Sequence, residues 1–151
     1  PVLAVLELRP QAGPQETFLS SSAEIAIFGG ANGGGKTWAL LTEPLRHLNN
    51  SQFGAVIFRR SIPQITNEGG LWDESWKLYP HVGGTSIKQP YQWHFPSGMK
   101  VTMTHLQYDS TVYEWDGSQI PLILYDQLEQ FTRKQFLYML GELLFDPGDI
   151  V

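Results

Sequence analysis

Cysteine is missing altogether from the 151 residues. That excludes a disulfide scaffold, a thiolate metal site and a cysteine nucleophile. Charge is scarce as well: charged residues make up 17%, and the formal net charge is −5. A general electrostatic grip on nucleic acid needs a basic face, so this composition leaves room only for a few local contacts, or for contacts made by another part. No apolar run approaches the roughly 20 residues of a membrane-spanning helix. The opening PVLAVLELRP has neither the basic start nor the small-residue cleavage site of a secretory leader. His47, His81, His94 and His105 lack metal-ligand spacing and read as surface or packing residues. There is no repeat and no low-complexity block. What remains is a single α/β domain with an ordinary 42% of apolar residues, expected in the cytoplasm and with no membrane partner.

Against this plain background stands FGGANGGGKTWALL, residues 28 to 41. Gly30-Ala31-Asn32-Gly33-Gly34-Gly35-Lys36-Thr37 matches the phosphate-binding pattern G-x-x-x-x-G-K-S/T in full. Glycines allow positive φ and close backbone approach, so successive N–H groups can face phosphate oxygens. The Lys36 ammonium can reach the β- and γ-phosphates, and the Thr37 hydroxyl can take a coordination position on magnesium. A strand is expected just before the glycines, over Glu24–Phe28, and a helix just after them, which is the context the motif requires. ATP and Mg2+ are the expected ligands.

Further along, Gly54–Arg60 is an apolar run of strand length ended by Arg59 and Arg60, and a helix is expected around Gly70–Leu78. Leu41, Leu45 and Leu48 share one helical face, and Pro44 should bend or shorten that helix. Tyr91, Trp93 and Phe95 alternate with polar residues, Pro96-Ser97-Gly98 turns the chain, and Lys100–Leu106 returns, which predicts a hairpin. Pro121–Tyr125 is an apolar strand ending on Asp126, a candidate to hold magnesium through water. Thr132 is placed to cap the helix that carries Phe136, Leu137, Leu140 and Leu144. The order strand, helix, strand, helix predicts a mainly parallel sheet, helices on both faces, and an inserted hairpin.

Gln127 follows Asp126, where a hydrolysing site of this type has a glutamate acting as general base. Its amide can position a water but cannot take the proton. Glu129 stands two residues on and reads as a solvated acid. Arg59 and Arg60 admit two readings: contact with nucleotide of their own or a neighbouring subunit or with DNA phosphate, or else a solvated strand end or ion pairs with Glu68, Asp73 or Glu74. Trp72, Trp76, Trp93 and Trp115 fit packing better than base stacking.

From about Gln15 to Leu144 the chain resembles the ATPase domain of the tailed-phage terminase large subunit, a DNA-packaging motor. The resemblance rests on GPQETF (13–18), GGANGGGKTWALL, VIFRRSIPQI, WHFPSGMKV and the run from VYEWDGSQ to LILYDQLEQF, in that order. It implies a P-loop NTPase fold of the additional-strand, catalytic-glutamate type, with a Q motif whose Gln15 reads adenine. An amide can bond adenine N6 and N7 together, which agrees with that role. It implies an entry segment over 1–22 and an ATPase domain over 23–151, incomplete at its C-terminal end and without the family's nuclease domain. Double-stranded DNA, a portal protein, a small terminase subunit and a homo-oligomeric ring are the partners it implies. Two departures stand out: many relatives have glutamate at the position of Gln127, and some have arginine at that of Asn32. A nucleotide-binding module that no longer hydrolyses, or another P-loop DNA-dependent ATPase, are the alternative readings.

Overall fold

In a computed structural model of the chain, residues 35–142 are described. The expected strand over 24–28, Gln15, and Gly30 to Gly34 lie outside them, as does Leu144. Helix α1 (Lys36–Thr42) starts behind Gly35, whose φ of 75° is a left-handed conformation that suits glycine. It stops at Thr42, and a 3-10 turn over Glu43–His47 takes over with Pro44 in its first turn. Pro44 has no N–H to continue the α ladder, so the apolar face of Leu41, Leu45 and Leu48 is carried across a change of helix type.

Strand β1 (Gly54–Arg59) is buried from Ala55 to Phe58. An unbroken apolar run of this kind belongs to a strand covered on both faces. Ala55 and Ile57 join one core with Leu41 of α1, Ile65 of α2 (Ile62–Thr66), and Leu71 and Trp72 of α3 (Leu71–Trp76). Val56 and Phe58 join the opposite core with Val112 and with Met139 of α4 (Arg133–Glu142). Helices therefore cover both faces, as expected. The corner between α2 and α3 requires Gly70, because a Cβ there would come within 2.9 Å of the carbonyl oxygens of Gln64, Ile65 and Asn67.

The expected hairpin forms from β3 (Tyr91–His94) and β4 (Lys100–His105), closed by Phe95 N–H on the Met99 carbonyl at 3.0 Å. Two things differ from the sequence reading. Thr85–Lys88 is a further strand, β2, paired antiparallel with β3; it is a mostly exposed edge strand with one apolar residue, so it carries no alternation to read. The sheet among the described residues is also mixed rather than mainly parallel. Its order is β2-β3-β4-β1-β5, where β5 is Leu122–Tyr125. Strand β1 runs parallel to β4 and β5, while the β2–β3 and β3–β4 pairs are antiparallel. The second strand of the hairpin packs directly beside β1 and forms part of the core.

Two buried polar groups tie these layers together. The Trp93 indole N–H donates to Ser75 Oγ at 2.9 Å, and Ser75 in turn donates to the Trp72 carbonyl. Gln135 on α4 is fully buried and uses both ends of its amide. Its Oε1 accepts from Arg60 Nη1 at 2.7 Å and from Thr132 N–H at 2.9 Å. Its Nε2 donates to the carbonyls of Leu106 and Tyr108. Thr132 Oγ1 accepts from Gln135 N–H, so the cap expected at Thr132 is present. Gln135→Leu keeps the volume and strands these partners in the core. It should cost about 2–4 kcal/mol in chemical denaturation; a loss inside about 0.5 kcal/mol would mean that water replaces the amide.

Candidate nucleotide site at the ends of two parallel strands

Register places the charged residues. In parallel neighbours the paired residues project to the same face. Phe58 pairs with Tyr125 and Arg59 with His105, and Asp126 N–H continues the ladder onto the Phe58 carbonyl at 2.9 Å. Arg59 is in phase with Ala55 and Ile57, and Asp126 with Leu124, so both face the side covered by α1. Arg60, one residue on, turns to the opposite side and meets Gln135. Strand alternation thus separates two arginines that look equivalent in sequence.

Arg59 Nη1 lies 3.4 Å from Asp126 Oδ2, with the two side chains 15% and 9% exposed. The pair is an ion contact without hydrogen-bond alignment: Arg59 Nε and Nη1 are buried and have no hydrogen-bond partner. Burial pushes the Asp126 carboxyl above the usual carboxylate range. Arg59 opposes that rise, Glu129 adds to it, and Lys36 and the Gln127 N–H oppose it. Lys36, at the start of α1, thus lies near enough for its charge to be felt by the carboxylate at the end of β5. Glu68, Asp73 and Glu74 are not the partners of these arginines. Asp73 accepts from Gly69 N–H and Glu74 pairs with Lys77.

Gln127 is half-buried, and its φ of 62° and ψ of 60° make it the one non-glycine residue of positive φ among the described residues. It precedes a 3-10 turn over Leu128–Gln130, and its carbonyl accepts from Gln130 N–H. Glu129 lies in that turn; it is exposed, as read from the sequence, yet its charge reaches Asp126. Gln64 Nε2 donates to Gln130 Oε1 at 3.0 Å, which joins α2 to the same turn. Thr37 is half-buried in the first turn of α1. Of the expected site, Gly35, Lys36, Thr37, Arg59, Asp126 and Gln127 are described, and the rest of the glycine loop is not.

His105 reads from the sequence only as a surface or packing residue. Parallel pairing sets it beside Arg59, with Nδ1 buried and without a hydrogen-bond partner. Only knowledge of which strand flanks β1 would have revealed it. Gln135 was missed too, since a glutamine within an apolar helix gives no sign of being buried. Among the described residues no group of three or more His, Cys, Asp or Glu is placed to hold a metal, and no helix is long and apolar enough to cross a membrane.

The arrangement is that of an α/β protein with a charged site at the carboxyl ends of adjacent parallel strands, the usual place for a ligand in such sheets. The chain belongs to the family described as terminase large subunit, T4likevirus-type, N-terminal, whose model matches residues 27–144. Neither the curated proteins nor the solved structures compared with it gave a match.

The backbone at Gln127 yields a stability prediction. Left-handed φ costs a residue with a Cβ about 1 kcal/mol or more. Gln127→Gly should stabilise the chain by about 0.5–1 kcal/mol in urea unfolding, and Gln127→Val should destabilise it by about 1–2 kcal/mol. Equal stabilities for the two variants would show that residue 127 is not held in this conformation.

Proposed function

We propose that this chain is the ATP-binding motor part of a viral terminase, using ATP and Mg2+ to drive double-stranded DNA into a procapsid. The observation that carries the reading is Asp126, buried at the end of β5 beside Arg59 and within the field of Lys36, the lysine that closes the glycine loop. Membership of the terminase family supports the DNA-packaging context. In that context a portal protein, a small terminase subunit and further copies of the chain in a ring are the partners, in the host cytoplasm.

The residues fit a magnesium ion. A buried carboxylate whose charge is disfavoured by its surroundings gains from a cation, and Mg2+ in nucleotide sites needs only one or two protein oxygens besides phosphates and water. Asp126 and Thr37 would hold it, and the ion would neutralise charge on the phosphates. Lys36 and the N–H groups of the glycine loop would bind and orient the phosphates, while the amide of Gln15 would read adenine. The half-buried Gln127, next to Asp126, would orient a water through its amide. It holds no proton acceptor strong enough to deprotonate that water, which favours a second reading, a module that binds ATP without turning it over.

Steady-state hydrolysis with Mg2+ separates the two readings. The left-handed backbone suits Glu as well as Gln, so Gln127→Glu should leave folding alone. Loss of a general base costs on the order of 10²–10⁴ in rate, and the variant is expected to gain at least about tenfold. Equal, substantial turnover by both proteins would remove residue 127 from the base position. Two inactive proteins that both bind ATP would favour the binding module.

A further inference from the structure

Arg59 has a property that an ordinary structural ion pair would not have. Buried arginines normally fill their donor fork, because an unmade hydrogen bond in the interior is costly. Here the guanidinium meets Asp126 at 3.4 Å without alignment, and its Nε and Nη1 donors are buried without acceptors. Among the described residues Asp126 is its one ion-pair partner. The Arg60 side chain is held by Gln135 on the other face and cannot substitute for it. Two unfilled donors therefore sit at the carboxyl edge of the parallel strands, facing the α1 side, next to a carboxylate on which Lys36 also acts.

We propose that Arg59 is a placeholder cation acting within its own chain. It neutralises Asp126 while no metal is bound, and gives its vacant donors to phosphate oxygens of the nucleotide once the carboxylate is released. This rests on the nucleotide-site reading above and deepens it. It assigns to Arg59 a phosphate contact in its own site, rather than in a neighbouring subunit or on DNA. A guanidinium suits the exchange because its planar fork matches carboxylate and phosphate oxygens alike, whereas an ammonium acts as a point charge.

A double-mutant cycle between Arg59→Met and Asp126→Asn tests the proposal with two readouts, neither of them catalytic. The first is the melting temperature without ligand. Arg59→Met should lower it clearly in the Asp126 protein and much less in the Asp126→Asn protein, where no carboxylate is left stranded. Equal losses in both backgrounds would overturn the pairing. The second is binding of a fluorescent ATP analogue in excess chelator. Asp126→Asn should tighten binding at least about threefold when Arg59 is present, because the guanidinium is then released, and should have little effect in the Arg59→Met protein. Equal tightening in both backgrounds would mean simple relief of charge repulsion, and would overturn the proposal. Arg59→Lys should behave between wild type and Arg59→Met, and it serves in place of Arg59→Met if that variant fails to fold. Wild-type protein that binds no ATP analogue, together with a coupled melting cycle, would sink the nucleotide reading and the phosphate half of this one while leaving the Arg59–Asp126 pair standing.

Discussion

A carboxylate buried at the end of a parallel strand stays charged only next to a cation, and the candidate site depends on Arg59 meeting that need for Asp126. Everything that positions the pair belongs to the sheet. Strand β1 is buried on both faces, its register with β5 carries Arg59 alongside Asp126, and α1 sets Lys36 on the same side. The next residue, Arg60, is fixed to the opposite layer through Gln135. The end of β1 is thereby anchored from both faces, by two consecutive arginines with different work.

Much of this was legible in the sequence, for identifiable reasons. The apolar run of β1, the period-two hairpin with its Pro-Ser-Gly turn, the break at Pro44 and the cap at Thr132 are local signals, and each appears where the sequence placed it. The mixed character of the sheet was not legible. Whether β4 lies beside β1 is decided by the core formed by Ile57, Val101 and Met103, a contact between segments far apart in the chain. Strand β2 was hidden because an exposed edge strand needs no apolar alternation. The different fates of Arg59 and Arg60 follow from pairing and alternation together, and neither can be read from two adjacent letters.

Residue 127 joins fold and function. Its left-handed backbone starts the 3-10 turn over Leu128–Gln130, which brings the charge of Glu129 to bear on Asp126 and meets Gln64 of α2 through Gln130. Strained backbone at the position following the buried carboxylate of Asp126 fits a residue held in place by its surroundings, since such conformations persist where surroundings enforce them. On the proposed motor reading, an amide in that place keeps the position of the general base and lacks its basicity. The same geometry therefore serves a slow motor and a nucleotide-binding module equally well.

On the function proposed above, the lysine after the glycine loop and the carboxylate at the end of β5 form one nucleotide site. Calorimetric titration of the chain with ATP and Mg2+, beside Lys36→Ala, tests it most directly. Saturable binding at about one ATP per chain is expected, weakened at least about tenfold by the substitution, a loss of about 1.4 kcal/mol. No binding by the wild-type chain, or binding that ignores the loss of Lys36, would contradict it.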